Sequence, residues 1–245
     1  MPICKLCKND KNLCNQSHII PDFMYQDLFD EDHTISEVKS DNGELQKLYD
    51  RQTGEFESNI LCQDCDNEKL GDLESYASTI LYQESPPSIE IKQDSNNIKY
   101  IYCDCLNYSK FKLFLLSILW RASICKREFF EEVSLGPHED KIREMIYNKN
   151  PKDQLEYPCI LTSHLTNREV SRGLITNPQQ LRYDGGYAYR FIIGGLDYLF
   201  FVSQHIVKES YSNYAINPKG EINIIHLPSD TSKEIIGSML GLSLT

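Results

Sequence analysis

Two CxxC pairs, Cys4-Lys5-Leu6-Cys7 and Cys62-Gln63-Asp64-Cys65, are the residues whose type and spacing most directly imply chemistry. A CxxC sets two thiols on one tight turn, so each pair supplies one edge of a tetrahedron, and structural Zn2+ takes four such ligands. With sulfur in all four positions no place is left for water, so the predicted ion is structural. The alternative is two unrelated pairs, one of them a redox motif. The 54 residues between the pairs are long for a simple zinc ribbon, so the intervening chain must fold out and return. The chain holds nine cysteines, an odd number, which suits metal ligands and buried thiols better than a disulfide framework. Cys14 reads as a free thiol. Cys103-Asp104-Cys105 ends a predicted strand and reads as ordinary apolar packing.

Polar groups suited to hydrolysis flank these cysteines. Ser17-His18-Ile19-Ile20-Pro21 follows the first pair, Asn59 precedes the second, and Asp66-Asn67 follows it directly. Phosphodiester hydrolysis needs an activated water and stabilisation of the leaving oxyanion. A histidine near neutral pKa can take the proton, and carboxylate or amide oxygens can hold Mg2+ or Mn2+. Each residue also has a plain structural reading. His18 could bond a backbone carbonyl, Asn59 could be a turn residue, and Asp66 could be an acid favoured at a helix N-terminus. His138-Glu139, after Gly136-Pro137, reads as a helix start.

The order CxxC, histidine on a β-segment, asparagine before CxxC, and a polar residue opening a helix resembles the HNH endonuclease family. The resemblance covers roughly residues 1–80 and extends to a set of uncharacterised bacterial HNH-like proteins; some nucleases of this kind serve in defence against phage, which implies an effector role there. It implies a zinc-stabilised, treble-clef-like ββα-metal module in which Cys4, Cys7, Cys62 and Cys65 pin a hairpin to a helix. His18 then matches the general base, Asn59 the central asparagine, and Asp66 a metal ligand that Asn67 could supplement. Two positions depart from the family pattern. Ser17 stands where an Asp or His ligand is usual, and Asp66 stands where a histidine is usual. The implied function is metal-dependent cleavage of nucleic acid, taken as DNA. The alternative is a non-catalytic HNH-like module that binds protein or nucleic acid.

Hydrophobic residues make up 40% of the 245 positions, enough for a sizeable core. No apolar run reaches the ~18 residues of a membrane span, and the first residues lack the apolar core of a signal peptide, so the cytoplasm is the expected compartment. Net charge is −11, of which residues 1–80 carry −10. Nucleic-acid binders usually show a basic footprint, so a protein partner or an oligomer is expected to supply basic surface. Ser85-Pro86-Pro87-Ser88 divides the chain into a zinc module, 1–84, and an α+β domain with antiparallel strands, 85–245. Residues 30–57 read as a loop-rich insertion with a short hairpin. Helices are predicted at 73–82, 109–124, 138–148 and 232–240, and strands at 88–91, 98–103, 158–165, 187–193, 196–203 and 222–227. Lys110, Lys112, Arg121, Lys126 and Arg127 could contact phosphates, although charged ends on a core helix explain them more simply.

Overall fold

The computed structural model describes residues 2–41, 44–82, 89–94, 97–164, 173–183, 186–203 and 211–242. The boundary predicted at Ser85–Ser88 lies outside the described residues. The architecture is mixed α+β, with four α-helices among the described residues.

The N-terminal part begins with strand β1 (Ser17–His18) and a 3-10 turn (Asp22–Tyr25). Strands β2 (Ile35–Asp41) and β3 (Glu44–Arg51) then form a two-stranded arm. Strand β4 (Phe56–Glu57) returns to pair antiparallel with β1, setting Ser17 opposite Glu57 and His18 opposite Phe56. A π-helical segment (Asp64–Leu70) runs without a break into α1 (Gly71–Leu81). The chain between the cysteine pairs thus does fold out and return. The arm is longer than the short hairpin expected. Leu48 and Tyr49 stay exposed and a bulge falls between Glu37 and Val38, so no buried face stamps an alternating pattern on the sequence.

The second part is built on a seven-stranded sheet. Its strands are β5 (Ile89–Gln93), β6 (Lys99–Cys103), β7 (Cys159–Ser163), β8 (Gln179–Tyr183), β9 (Gly186–Ile193), β10 (Leu196–Val202) and β11 (Ile222–His226). The order is β5-β6-β11-β7-β10-β9-β8, antiparallel throughout except for the β11/β7 pair. Gly194 and Gly195 form the β9–β10 turn, both with positive φ, as a two-residue hairpin of this hand requires. The edge strand β8 has no counterpart in the sequence reading. Gln-Gln-Leu-Arg-Tyr is too short and polar to stand out from a loop.

Helix α2 (Tyr108–Ile124) joins the two parts. Asn107 caps it, its side chain accepting from Lys110 N. No glycine or proline interrupts it, and it is buried without a break from Phe111 to Ala122. One hydrophobic cluster runs through it, taking in Leu6, Ile19 and Leu61 from the N-terminal part and Tyr189 and Phe200 from the sheet. Helix α3 (His138–Tyr147) packs beside α2, and α4 (Ser229–Met239) closes the described chain. No helix among the described residues is long and apolar enough to cross a membrane.

Candidate functional site

The four cysteines of the two CxxC pairs meet. Their Sγ atoms all lie within 4.8 Å of one another, with Cys7 and Cys62 at 3.9 Å. A zinc–sulfur bond of about 2.3 Å places tetrahedral sulfurs roughly 3.8 Å apart, so the spacing suits an ion such as zinc. Backbone bonds hold the two knuckles in place. Lys5 N donates to Ile60 O, Cys14 N donates to Leu61 O, and Lys8 turns the first knuckle with a φ of 59°. Cys62 N also donates to Cys4 Sγ at 3.3 Å. Burial pushes the Cys62 and Cys65 thiols up, so gathering thiolates here calls for a cation. Cys14 stays outside the cluster, and burial followed by the nearby Asp66 charge raises its thiol. Cys103 is buried and Cys105 exposed, so the CxC forms no thiol pair for a metal.

Beside this cluster, β1 turns its two side chains opposite ways, as neighbours on a strand must. Ser17 points inward and is fully buried, and its Oγ donates to Asp66 Oδ2 at 2.9 Å. His18 points outward with its side chain 30% exposed. Its Nε2 lies 3.2 Å from Thr53 Oγ1 and 3.8 Å from Asp22 Oδ1. Among the described residues the imidazole therefore rests on side chains. Its ring meets Phe56 edge-on at 6.5 Å between centroids.

Asn59 and Asn67 are both exposed. Asn59 has a φ of 58°, and its N–H bonds Cys14 O, so it turns the chain from β4 into the second knuckle. Asp66 is partly buried at the start of the helix. Burial raises its carboxyl, against the opposing pull of Ser17 and Arg121. Among the described residues, the cysteines are the one group of three or more Cys, His, Asp or Glu with converging ligand atoms. Asp66 and Asn67 belong to no such group among the described residues.

Arg121 is the residue the sequence reading most undervalued. It lies in an apolar run and is 1% exposed. Its Nη1 donates to His18 O at 2.9 Å and to Glu74 Oε1 at 2.6 Å. Its Nε and Nη2 donate to Ser117. Four of the five guanidinium donors are thus used, and one side chain ties α2 to both β1 and α1. A lone arginine amid Phe, Leu and Ile was the available signal. Just past α2, Arg127 Nε donates to Phe56 O, and its guanidinium lies over the Phe56 ring at 5.2 Å.

Two other histidines are buried in packing. His138 Nδ1 is 2.8 Å from Tyr157 Oη. His164 Nδ1 is 2.8 Å from Ser232 Oγ, next to Asp197 and Arg190. A cleft of about 740 Å3 opens between the β2–β3 arm, residues 127–131 and the end of α4. Glu37, Glu55, Glu128 and Glu131 line it together with Arg51 and Arg127, and Arg51 is paired with Glu37 and Glu55.

Compared with family models, curated proteins and solved structures, the chain matches none.

Proposed function

We propose that the chain is an HNH-type endonuclease that hydrolyses phosphodiester bonds of nucleic acid, DNA in the first instance, with His18 as general base. The observation that carries this reading is the unit formed by β1, β4 and the helix that follows Cys65. It is gathered on a four-cysteine cluster and presents His18 outward from the hairpin. In this reading Thr53 and Asp22 orient the imidazole, whose free lone pair takes a proton from water. Asp66 acts as a positioning residue, holding Ser17 and with it the strand that carries His18. A divalent cation, if held by Asp66 and Asn67, would supply stabilisation of the leaving oxygen.

The test is cleavage of plasmid DNA and of DNA and RNA oligonucleotides by the zinc-loaded protein, with Mg2+, with Mn2+ and with neither. His18→Ala should lower the rate about 10^2- to 10^4-fold while the zinc content stays the same. Full activity in that variant would sink the assignment.

A second reading, a non-catalytic HNH-like module that binds protein or nucleic acid, draws on the Ser17–Asp66 hydrogen bond. That bond engages one Asp66 oxygen in a contact within the protein. A pure protein that binds nucleic acid and cleaves none under any of the three conditions would establish it.

A further inference from the structure

The N-terminal part is strongly acidic, and its cations are largely spent on its own or neighbouring carboxylates. Lys8 pairs with Asp140, Lys11 with Asp64, Lys47 with Asp50, and Arg51 with Glu37 and Glu55. A phosphate backbone approaching His18 would meet little positive charge from residues 1–80.

The turn after α2 alters that balance. Arg127 and Lys126 are exposed, and among the described residues neither forms an ion pair. Glu57 is the nearest acid on the hairpin. Its Oε2 accepts the backbone N–H of Lys126 at 2.9 Å, so the carboxylate faces the main chain. Arg127 is anchored at one end only. Its Nε bonds Phe56 O and its guanidinium lies over the Phe56 ring, while among the described residues its Nη donors are left for a ligand. Phe56 is also the cross-strand partner of His18 and meets the imidazole edge-on. One aromatic ring therefore carries the proposed base at its edge and an unpaired guanidinium over its face. Arginine presents a planar fork of donors that suits a phosphate group.

We infer that Arg127, assisted by Lys126, is a binding residue that grips the phosphodiester backbone of DNA beside His18. The basic surface missing from the acidic hairpin is then supplied in cis, by the segment that follows α2. The DNA runs across the outer face of the β1–β4 hairpin. This inference rests on the nuclease reading for its choice of ligand and on the Phe56 geometry for its choice of residue.

The experiment is fluorescence anisotropy of a labelled DNA duplex with the full-length, zinc-loaded protein, titrated over a range of salt without added divalent cation. Each phosphate contact contributes about 0.9 to the slope of log affinity against log salt. Arg127→Ala should weaken binding about 5- to 10-fold at low salt, an affinity loss of roughly 1–1.4 kcal/mol, and flatten the slope by about 0.9. Arg127→Lys should restore most of the slope, and Lys126→Ala should flatten it further. The melting temperature should fall only slightly, because the exposed side chain gives up one hydrogen bond and one ring contact, and binding is measured well below it. Lys219→Ala, which removes an exposed charge from the turn before β11, should change affinity less than Arg127→Ala.

An unchanged affinity and slope in Arg127→Ala would overturn the inference and leave the nuclease reading standing. Loss of binding in Arg127→Ala, together with a wild-type protein that never cleaves, would uphold the inference and defeat catalysis. A wild-type chain that binds no DNA even at low salt would overturn both.

Discussion

Stripping the ion from Cys4, Cys7, Cys62 and Cys65 should unlock the whole knuckle–hairpin unit and leave the large sheet in place. The purified chain is expected to carry one zinc ion. In zinc-finger peptides the apparent binding free energy is about 10–16 kcal/mol, comparable to the roughly 5–15 kcal/mol that holds a whole domain folded. The apolar packing that depends on the closed knuckles is smaller. Leu6, Ile19, Ile20 and Leu61 are completely buried around the cluster, and each contributes about 2 kcal/mol. Packing alone is thus outweighed by what the ion provides. Hydrogen exchange is the direct assay. After chelation, the amides of Lys5, Cys14 and Asp66, which bond Ile60 O, Leu61 O and Cys62 O, should lose protection. Amides of β9 and β10, paired with each other and with β7 and β8 in the large sheet, should keep theirs. A metal-sensitive dye should report one equivalent released, and zinc added back should restore protection. A chain that holds no metal, or that keeps full protection at Cys14 and Asp66 after chelation, would refute this reasoning.

Two further outcomes follow from buried groups. Burial raises the Asp197 carboxyl from the usual 3.8 to about 6, against the pull of Arg190. The folded state therefore holds this proton more tightly than the unfolded one. Its contribution is fully present below pH ~4 and is lost as pH rises through about 6. Relative to Asp197→Asn, the wild type should lose about 3 kcal/mol of stability between pH ~4 and ~7, read from urea unfolding of both proteins; a difference that stays constant with pH would count against it. At Gly54, an added Cβ would stand 2.3 Å from the buried Tyr25 ring, whose hydroxyl accepts the N–H of Glu55. Gly54→Ala should cost about 1–3 kcal/mol, seen as a lower melting temperature, and should disturb the neighbouring Thr53 that supports His18.

Much of this molecule is legible where chemistry or sterics leave few choices. The two CxxC pairs announce a shared cluster because tetrahedral ligation needs four thiols. Gly194-Gly195 announces a hairpin because its turn needs two positive φ values. The apolar run from Phe111 to Trp120 announces a buried helix. Other features leave weaker marks. The β2–β3 arm has no buried face to impose a period, and β8 is a short, polar edge strand. The site itself was legible only in part. His18 and Asp66 stand out as residue types, but nothing local says that Ser17 and Asp66 bond each other across 49 positions. Nor does local sequence place Arg121 under β1 or Arg127 on Phe56, because both contacts depend on how α2 docks.

The Arg121 bond to the carbonyl of His18 joins residues 103 positions apart. A ribosome adding about 5–20 residues per second needs roughly 5–20 s to cover that interval. Through that time the strand bearing His18 exists without its donor from α2, and over the last 47 residues of it Glu74 exists without its cation. Whatever His18 does, the nascent chain cannot do it in final form until Arg121 has been made and α2 has docked. The buried guanidinium thus serves as a clock on maturation as well as a tie in the finished fold.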